Sequence, residues 1–281
     1  MIKVTNLNFS YTQTPFIENV NFNVSKGEIF GFLGPSGAGK STLQKILTGL
    51  LTGYKGTATV GGVEVSHHTN TFYENIGVDF EFPSLYEKLT ARQNLEFFGS
   101  LYSRELRSIE ELFEMVNLTN DGDKKVDDYS KGMKSRLNFI KALLHNPEII
   151  FLDEPTSGLD PSNSYDMKKI IKAERAKGKA IILTTHNMQD AAELCDRVAF
   201  IVDGKMKALD TPHNLIMSKG ANKLQYSYFE NGEQLGECLM SASGEDKLLQ
   251  RLVSENKLLS IHSSEPTLND IFREVTGRVL E

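Results

Sequence analysis

Gly34-Pro35-Ser36-Gly37-Ala38-Gly39-Lys40-Ser41-Thr42 decides the reading of this chain. The stretch fits G-x-x-x-x-G-K-[ST] at every required position, and the chemistry follows from the residue types. Its glycines let the backbone curl so that successive N–H groups point inward at phosphate oxygens. Lys40 adds a mobile positive charge for terminal phosphates, and Ser41 offers a hydroxyl to Mg²⁺. Residues 28–33 read as a buried strand entering the loop. Residues 42–50 open a helix whose N-terminal dipole favours an anion. A chance glycine-rich turn beside a lysine is the alternative, and the order strand, loop, helix argues against it. The stretch implies that a nucleoside triphosphate is bound.

Composition frames that implication. The 281 residues can bury a substantial core and carry a small appended domain. Hydrophobic residues make up 40% and charged residues 24%, values of an ordinary globular chain. The net charge of −6 argues against a general nucleic-acid binder, so no nucleic-acid partner is expected. Two cysteines, Cys195 and Cys238, make neither a disulfide framework nor a metal site and point to a reducing cytoplasm. The N-terminus carries no signal-peptide pattern. The longest apolar runs, such as 180–183 and 198–202, are far too short to span a membrane. Any membrane role must be borrowed from a partner.

Along the chain, strands are expected over 2–4, 16–24 and 28–33, then a hairpin at 57–60 and 63–65 around Gly61-Gly62. Residues 76–82 read as another strand, stopped by Pro83. From about 84 to 147 the period turns helical: Thr90 caps a run bearing Leu95, Phe97, Phe98 and Leu101, and helices follow over 109–116 and 135–144. This is a helical insertion in a strand-rich core. Strands return at 148–155, 180–185, 198–202 and 206–209, alternating with helices at 163–177 and 188–195, which implies a largely parallel sheet covered on both faces. After Thr211-Pro212 the composition shifts. An alternating run over 223–229, the hairpin signal Asn231-Gly232, an amphipathic helix over 245–254, a strand over 258–261 and a helix capped by Thr267 read as a small α+β appendage. The domains are thus expected at 1–212 and 213–281.

Further constellations sit on this frame. An apolar strand ending in Asp153-Glu154 suits phosphoryl transfer, with Asp153 holding Mg²⁺ and Glu154 orienting or deprotonating a water. Tyr129-Ser130-Lys131-Gly132-Met133-Lys134, just before a helix, makes a second anion site. Since one chain needs only one such loop for a triphosphate, the second suggests that it completes the site of another subunit. Tyr11 packs into the core or stacks on a base.

Taken together, residues 1–212 resemble the ATP-binding subunit of an ABC transporter. The phosphate loop matches that family's Walker A motif, 149–155 its Walker B motif, and 129–133 its signature in the variant form common among exporter ATPases. Ser157-Gly158-Leu159-Asp160 matches the D-loop, and His186 the switch histidine. The resemblance implies an α/β fold: a P-loop NTPase (RecA-like) core with an antiparallel β subdomain, a helical insertion and a small C-terminal α+β extension. It implies ATP and Mg²⁺ as ligands. It also implies a head-to-tail dimer of ATPase subunits sandwiching two ATP molecules, each held by Walker A of one subunit and Ser130, Lys131, Gly132 and Met133 of the other. The expected catalytic residues are Glu154 and His186. Tyr11, residues 34–42, Glu81, Ser130 to Met133 and Asp160 would bind nucleotide, and Ser41, Asp153 and Glu81 the metal.

Two departures stand out. The family usually has Gly-Gly-Gln where this chain has Lys131-Gly132-Met133. Glu81 falls where the family has a glutamine that contacts Mg²⁺ and the permease; a carboxylate there adds negative charge beside the triphosphate and Glu154. The tail from Glu265 to Arg278 is similar to that of exporter ATPases serving separate permease chains. The resemblance therefore implies an ATPase on the cytoplasmic face of the membrane, coupled to export through an integral-membrane permease. An importer ATPase fits the signature and tail less well. A soluble relative acting on ribosomes or DNA would show a repeat or a heptad array, and neither occurs. A nucleotide-gated subunit that scarcely hydrolyses remains the alternative that Glu81 raises.

Overall fold

Apolar residues at every second position of the first segments, and in unbroken runs later, fold into three sheets. The computed structural model describes residues 1–218, 223–230, 232–264 and 266–278. In chain order the first elements are β1 (Ile2–Phe9), β2 (Ile17–Val24), β3 (Ile29–Leu33), α1 (Lys40–Leu47), β4 (Lys55–Val60), β5 (Val63–Glu64), α2 (Asn70–Tyr73) and β6 (Ile76–Asp79). Three helices follow: α3 (Ala91–Gly99), α4 (Ile109–Met115) and α5 (Lys131–Leu143). Then come β7 (Ile149–Asp153), α6 (Pro161–Ala176), β8 (Ala180–Thr185), α7 (Met188–Leu194), β9 (Arg197–Val202) and β10 (Lys205–Asp210).

Strands β2-β1-β4-β5 make an antiparallel sheet whose buried residues alternate, as Ile17, Val20, Phe22 and Val24 do along β2. The second sheet has the order β10-β9-β3-β8-β7-β6, with parallel pairing from β9 through β6. Its central strands β3, β7 and β8 are buried at every residue, the pattern of a parallel sheet covered on both faces. One core joins the two sheets around α1. Phe22, Phe30 and Phe32 pack ring to ring at 5.1–5.4 Å, beside Leu43 and Ile46 of α1. Each ring removed from water there contributes about 2–3 kcal/mol. That packing holds the β3–α1 turn, where the phosphate loop lies.

Several boundaries differ from those expected. The strand predicted over 76–82 ends at Asp79, because the Asn138 side chain bonds the Asp79 carboxylate and the Phe80 carbonyl and turns the chain out of the sheet. The helix predicted from 135 begins at Lys131, since the Ser130 hydroxyl accepts from the Met133 amide (3.2 Å) and caps it four residues earlier. Likewise α1 starts at Lys40, and the strand predicted over 148–155 stops at Asp153. Glu154 lies in the left-handed region at φ +53°. The expected capping of α3 by Thr90 is present as a reciprocal box with Gln93.

A second compact unit begins at Asp210. It holds α8 (Pro212–Ser218), β11 (Lys223–Phe229), β12 (Glu233–Leu239), α9 (Lys247–Ser254), β13 (Leu258–Ser264) and α10 (Leu268–Thr276). Its antiparallel sheet, β12-β11-β13, buries Tyr226 against Leu249 and Leu252 of α9. Asn231 of the hairpin signal and Glu265 of the tail motif lie outside the described residues, as do 279–281. The α8 helix was not foreseen from the sequence.

Candidate functional site

The phosphate loop is shaped by what its glycines leave open. A Cβ on Gly34 would stand 2.1 Å from the Ile201 carbonyl oxygen of β9, so only glycine lets the loop leave β3 this close to its neighbour. Gly39 has φ +110° and turns the chain into α1. Together these bends frame a cavity of about 340 Å³ at the N-terminus of α1, lined by residues 36–42, Phe16, Glu81, Asp153, Glu154 and His186.

Lys40 is nearly buried, with its ammonium donating to the carbonyl oxygens of Gly34 (2.6 Å) and Pro35 (3.1 Å). Burial lowers its pKa, and Glu154, Asp153 and Glu81 pull the other way. Opposite it, Asp153 ends β7 and accepts from the Thr184 hydroxyl of β8. The left-handed turn at Glu154 brings that carboxylate back over the end of β8. There Oε2 accepts from the Thr185 hydroxyl (3.0 Å), and Oε1 from the His186 amide (2.9 Å) and imidazole Nδ1 (2.7 Å). Because a carboxylate only accepts, Nδ1 of His186 carries the hydrogen.

The donor set fits a metal-bound triphosphate. The α1 N-terminus, the loop amides and one ammonium would meet the anion; the Ser41 hydroxyl and the Asp153 and Glu81 carboxylates are the hard oxygen donors that Mg²⁺ prefers. Among the described residues no group of three or more His, Cys, Asp or Glu could hold a metal by itself. The phosphates would have to complete the shell.

Not every expected residue converges here. Tyr11 is largely exposed; its hydroxyl pairs with Thr42 Oγ1 (3.0 Å), and its ring meets Phe9 and Phe16 edge to face at 4.8 and 5.3 Å. Phe16, which the sequence did not single out, lines the phosphate cavity instead. Its aromatic type beside Tyr11 was the one available signal. Asp160 caps α6, accepting from the Asn163 amide at 3.0 Å, and does not line the cavity. Ser130, Lys131, Gly132 and Met133, expected to serve the nucleotide of another subunit, cap and open α5 and likewise do not line this chain's own cavity. Of these, Lys131 lines a neighbouring cavity of about 250 Å³ with Asp79, Glu81, Asp153 and Glu154. Beneath Glu81 lies a buried polar layer missed by sequence reading. Burial pushes Asp79 up to about 7, although Lys141 and Asn138 oppose it, and burial brings Lys141 down to about 8.

Comparison with known proteins bears on this arrangement. A family model described as ABC transporter matches residues 17–157. The chain is 45% identical to a fluoroquinolones export ATP-binding protein of Mycobacterium tuberculosis, over the whole chain and 94% of that protein. It is 35% identical to the Nod factor export ATP-binding protein I of Rhizobium meliloti, again over the whole chain and 89% of that protein. Among solved structures, a dimeric ATP-binding cassette in a post-hydrolysis state bound to ADP and Pi superimposes with a TM-score of 0.68 at 26% identity. That match covers 75% of this chain and 98% of the other. The α/β architecture, the phosphate cavity beside Lys40 and these likenesses agree: the chain belongs to the ABC transporter family, as an ATP-binding, ATP-hydrolysing subunit.

Proposed function

We propose that this subunit couples ATP hydrolysis to export through a separate membrane permease. The observation that carries the reading is that Lys40, Asp153, Glu154 and His186 line one and the same phosphate cavity. In this reading Lys40 leaves its two loop carbonyls for the terminal phosphates, and loop amides hold the remaining oxygens. Mg²⁺, held by Ser41, Asp153 and Glu81, would neutralise phosphate charge. Glu154, anchored by Thr185 and His186, orients the attacking water and takes its proton. His186 keeps Glu154 aimed at the cavity and presents Nε2 on its far side. Tyr11 and Phe16 offer ring faces to the base.

The partner class follows from exposure. Among the described residues no helix is long and apolar enough to cross a membrane. Phe82, next to Glu81 in sequence, is nonetheless 79% exposed, and Leu101 and the Tyr86–Phe97 ring pair (5.0 Å) of the helical insertion are exposed as well. We assign the permease to these exposed residues, with Glu81 passing closure of the site to it. Residues 129–133, away from this chain's own phosphate cavity, would complete the site of a second ATPase subunit, alike or paralogous. Residues 1–212 would form the ATPase domain and 213–281 an extension. The relatives named above export fluoroquinolones and Nod factor, and a small organic molecule of that kind is the cargo class we take for this chain. The chain would sit on the cytoplasmic face of the membrane.

Measuring ATP turnover of the purified chain with and without its co-purifying membrane protein tests the reading. The permease should raise turnover, and Glu154→Gln should lower it roughly 100-fold while ATP binding persists. Turnover unchanged by Glu154→Gln would remove Glu154 from its role.

A further inference from the structure

Two opposite charges beside the phosphate cavity have no hydrogen bond and no ion pair within 4.0 Å among the described residues. Lys131 is the first residue of α5, where an ammonium opposes the helix dipole. Lys134 of the same turn is relieved by Glu87 at 2.8 Å, but the Lys131 ammonium has no hydrogen bond and no carboxylate within 4.0 Å among the described residues. The Glu81 carboxylate is likewise without a hydrogen bond or ion pair there.

Both side chains line the cavity of about 250 Å³ that adjoins the phosphate site. Its wall carries four carboxylates, Asp79, Glu81, Asp153 and Glu154, and a single ammonium, that of Lys131. Three of the carboxylates are tied down: Asp79 by Asn138, Asp153 by Thr184, Glu154 by Thr185 and His186. Only Glu81 is free to answer Lys131. Glu81, Asp153 and Glu154 also line the phosphate cavity, so this wall faces Lys40 on one side and Lys131 on the other. The lysine stem runs across Gly158, where a Cβ would stand 3.2 Å from its Cε and 3.3 Å from its Nζ. The missing side chain at 158 leaves that path open.

We propose that Lys131 is the positioning residue of Glu81: before a metal is bound, its ammonium draws the untied carboxylate toward the second cavity, away from the space the phosphates enter, and Mg²⁺ would then have to recruit Glu81 back. A triphosphate arriving beside Lys40 meets three carboxylates, and moving one of them off the cavity lowers the like-charge repulsion, by the modest amount that solvent-exposed charges allow. The proposal rests on the nucleotide reading above.

A double-mutant cycle on ATP affinity tests it, with the intact chain in metal-free buffer at a concentration where light scattering reports a single chain, so that residue 131 meets no second subunit's nucleotide, and with a fluorescent ATP analogue as probe. Lys131→Gln should weaken binding roughly three- to tenfold, and Lys131→Arg should leave it within about twofold. In a Glu81→Gln background, Lys131→Gln should change affinity by less than about twofold, because no carboxylate is left to position. The loss should also shrink on going from about 50 mM to about 500 mM salt. A loss from Lys131→Gln that is equal with Glu or Gln at 81, or no loss with Glu81 present, overturns the proposal. Failure of the nucleotide reading looks different: the parent would not bind the analogue, or Lys40→Ala would bind it as the parent does.

Discussion

Lys40 is the residue on which the phosphate cavity depends most directly. Its ammonium is nearly buried and, among the described residues, hydrogen-bonds two loop carbonyls, with Glu154, Asp153 and Glu81 acting at longer range; burial still outweighs them, so its desolvation is incompletely offset until an anion arrives. Lys40→Ala removes one charge-assisted contact to phosphate, worth about 2–3 kcal/mol, and should weaken ATP binding roughly 30- to 100-fold in a titration with Mg²⁺. Affinity near that of the parent would mean that the loop amides alone hold the anion. The phosphate-loop residues were legible in the sequence because each has a chemical duty at a fixed spacing. Glu154 was legible too, but its grip was not. The bonds from Thr185 and His186 depend on a left-handed turn at a non-glycine residue, φ +53°, which no sequence pattern signals. Phe16 escaped for a simpler reason: nothing in its local pattern separates a ring that lines a cavity from one that fills a core.

At the scale of elements, the parallel strands were readable because burial on both faces leaves unbroken apolar runs, as in 149–152 and 180–183. The start of α5 was not, because Lys131-Gly132 looks like loop until the Ser130 cap is seen. The end of β6 depended on a long-range bond from Asn138, about sixty residues away in sequence. The end of α5 carries a testable consequence. His145 is fully buried, stacked on Tyr102 with ring centroids 3.8 Å apart, and Nε2 meets the Ile76 carbonyl at 2.9 Å, so Nε2 holds the hydrogen. Nδ1 has no partner among the described residues. Burial lowers its pKa to about 4 from 6.5, outweighing the hydrogen bond to Ile76. The unfolded chain therefore binds the proton first as pH falls. The stability from a neutral His145 is full above about 6.5 and drains away between there and about 4. Urea midpoints from pH 7.5 to 4.5 should fall by an amount of order 2–3 kcal/mol from this residue, and His145→Gln should flatten that slope. An identical slope in the variant would place the acid sensitivity elsewhere.

Across the ATPase unit, the loop before α4 is tied to α6 by a buried charge cluster. Glu174, 1% exposed, takes Arg107 at 2.9 Å, Lys177 at 2.8 Å and Lys179 at 2.5 Å. Burial alone would raise the Glu174 carboxyl, yet Lys177, Lys179 and Arg107 hold it down at about 2. Glu174→Gln leaves the largely buried Lys179 without an anion, while Arg107 keeps Glu111 at 2.7 Å, and should cost about 3–5 kcal/mol, read as a lower urea midpoint at neutral pH. A loss below about 1 kcal/mol would mean that water replaces the carboxylate. The sequence held this cluster only as scattered charges, since its members lie up to 72 residues apart. The largest-scale question is assembly. Ser130 to Met133 stand outside their own phosphate cavity, and a copy placed head to tail would bring them to a second nucleotide. Such closure puts two sets of triphosphate charge at one interface, so it should persist only while the γ-phosphates remain to bridge it. Glu154→Gln keeps Lys40 and the loop amides but removes the base, so bound ATP should survive and hold the pair together. Light scattering should then report about twice the mass of one chain with ATP and about one chain with ADP, while Lys40→Ala in the same background should stay monomeric with either. A Glu154→Gln chain that remains monomeric at high ATP and protein concentration would count against self-pairing and leave a paralogue, or the permease, as the element that completes the site.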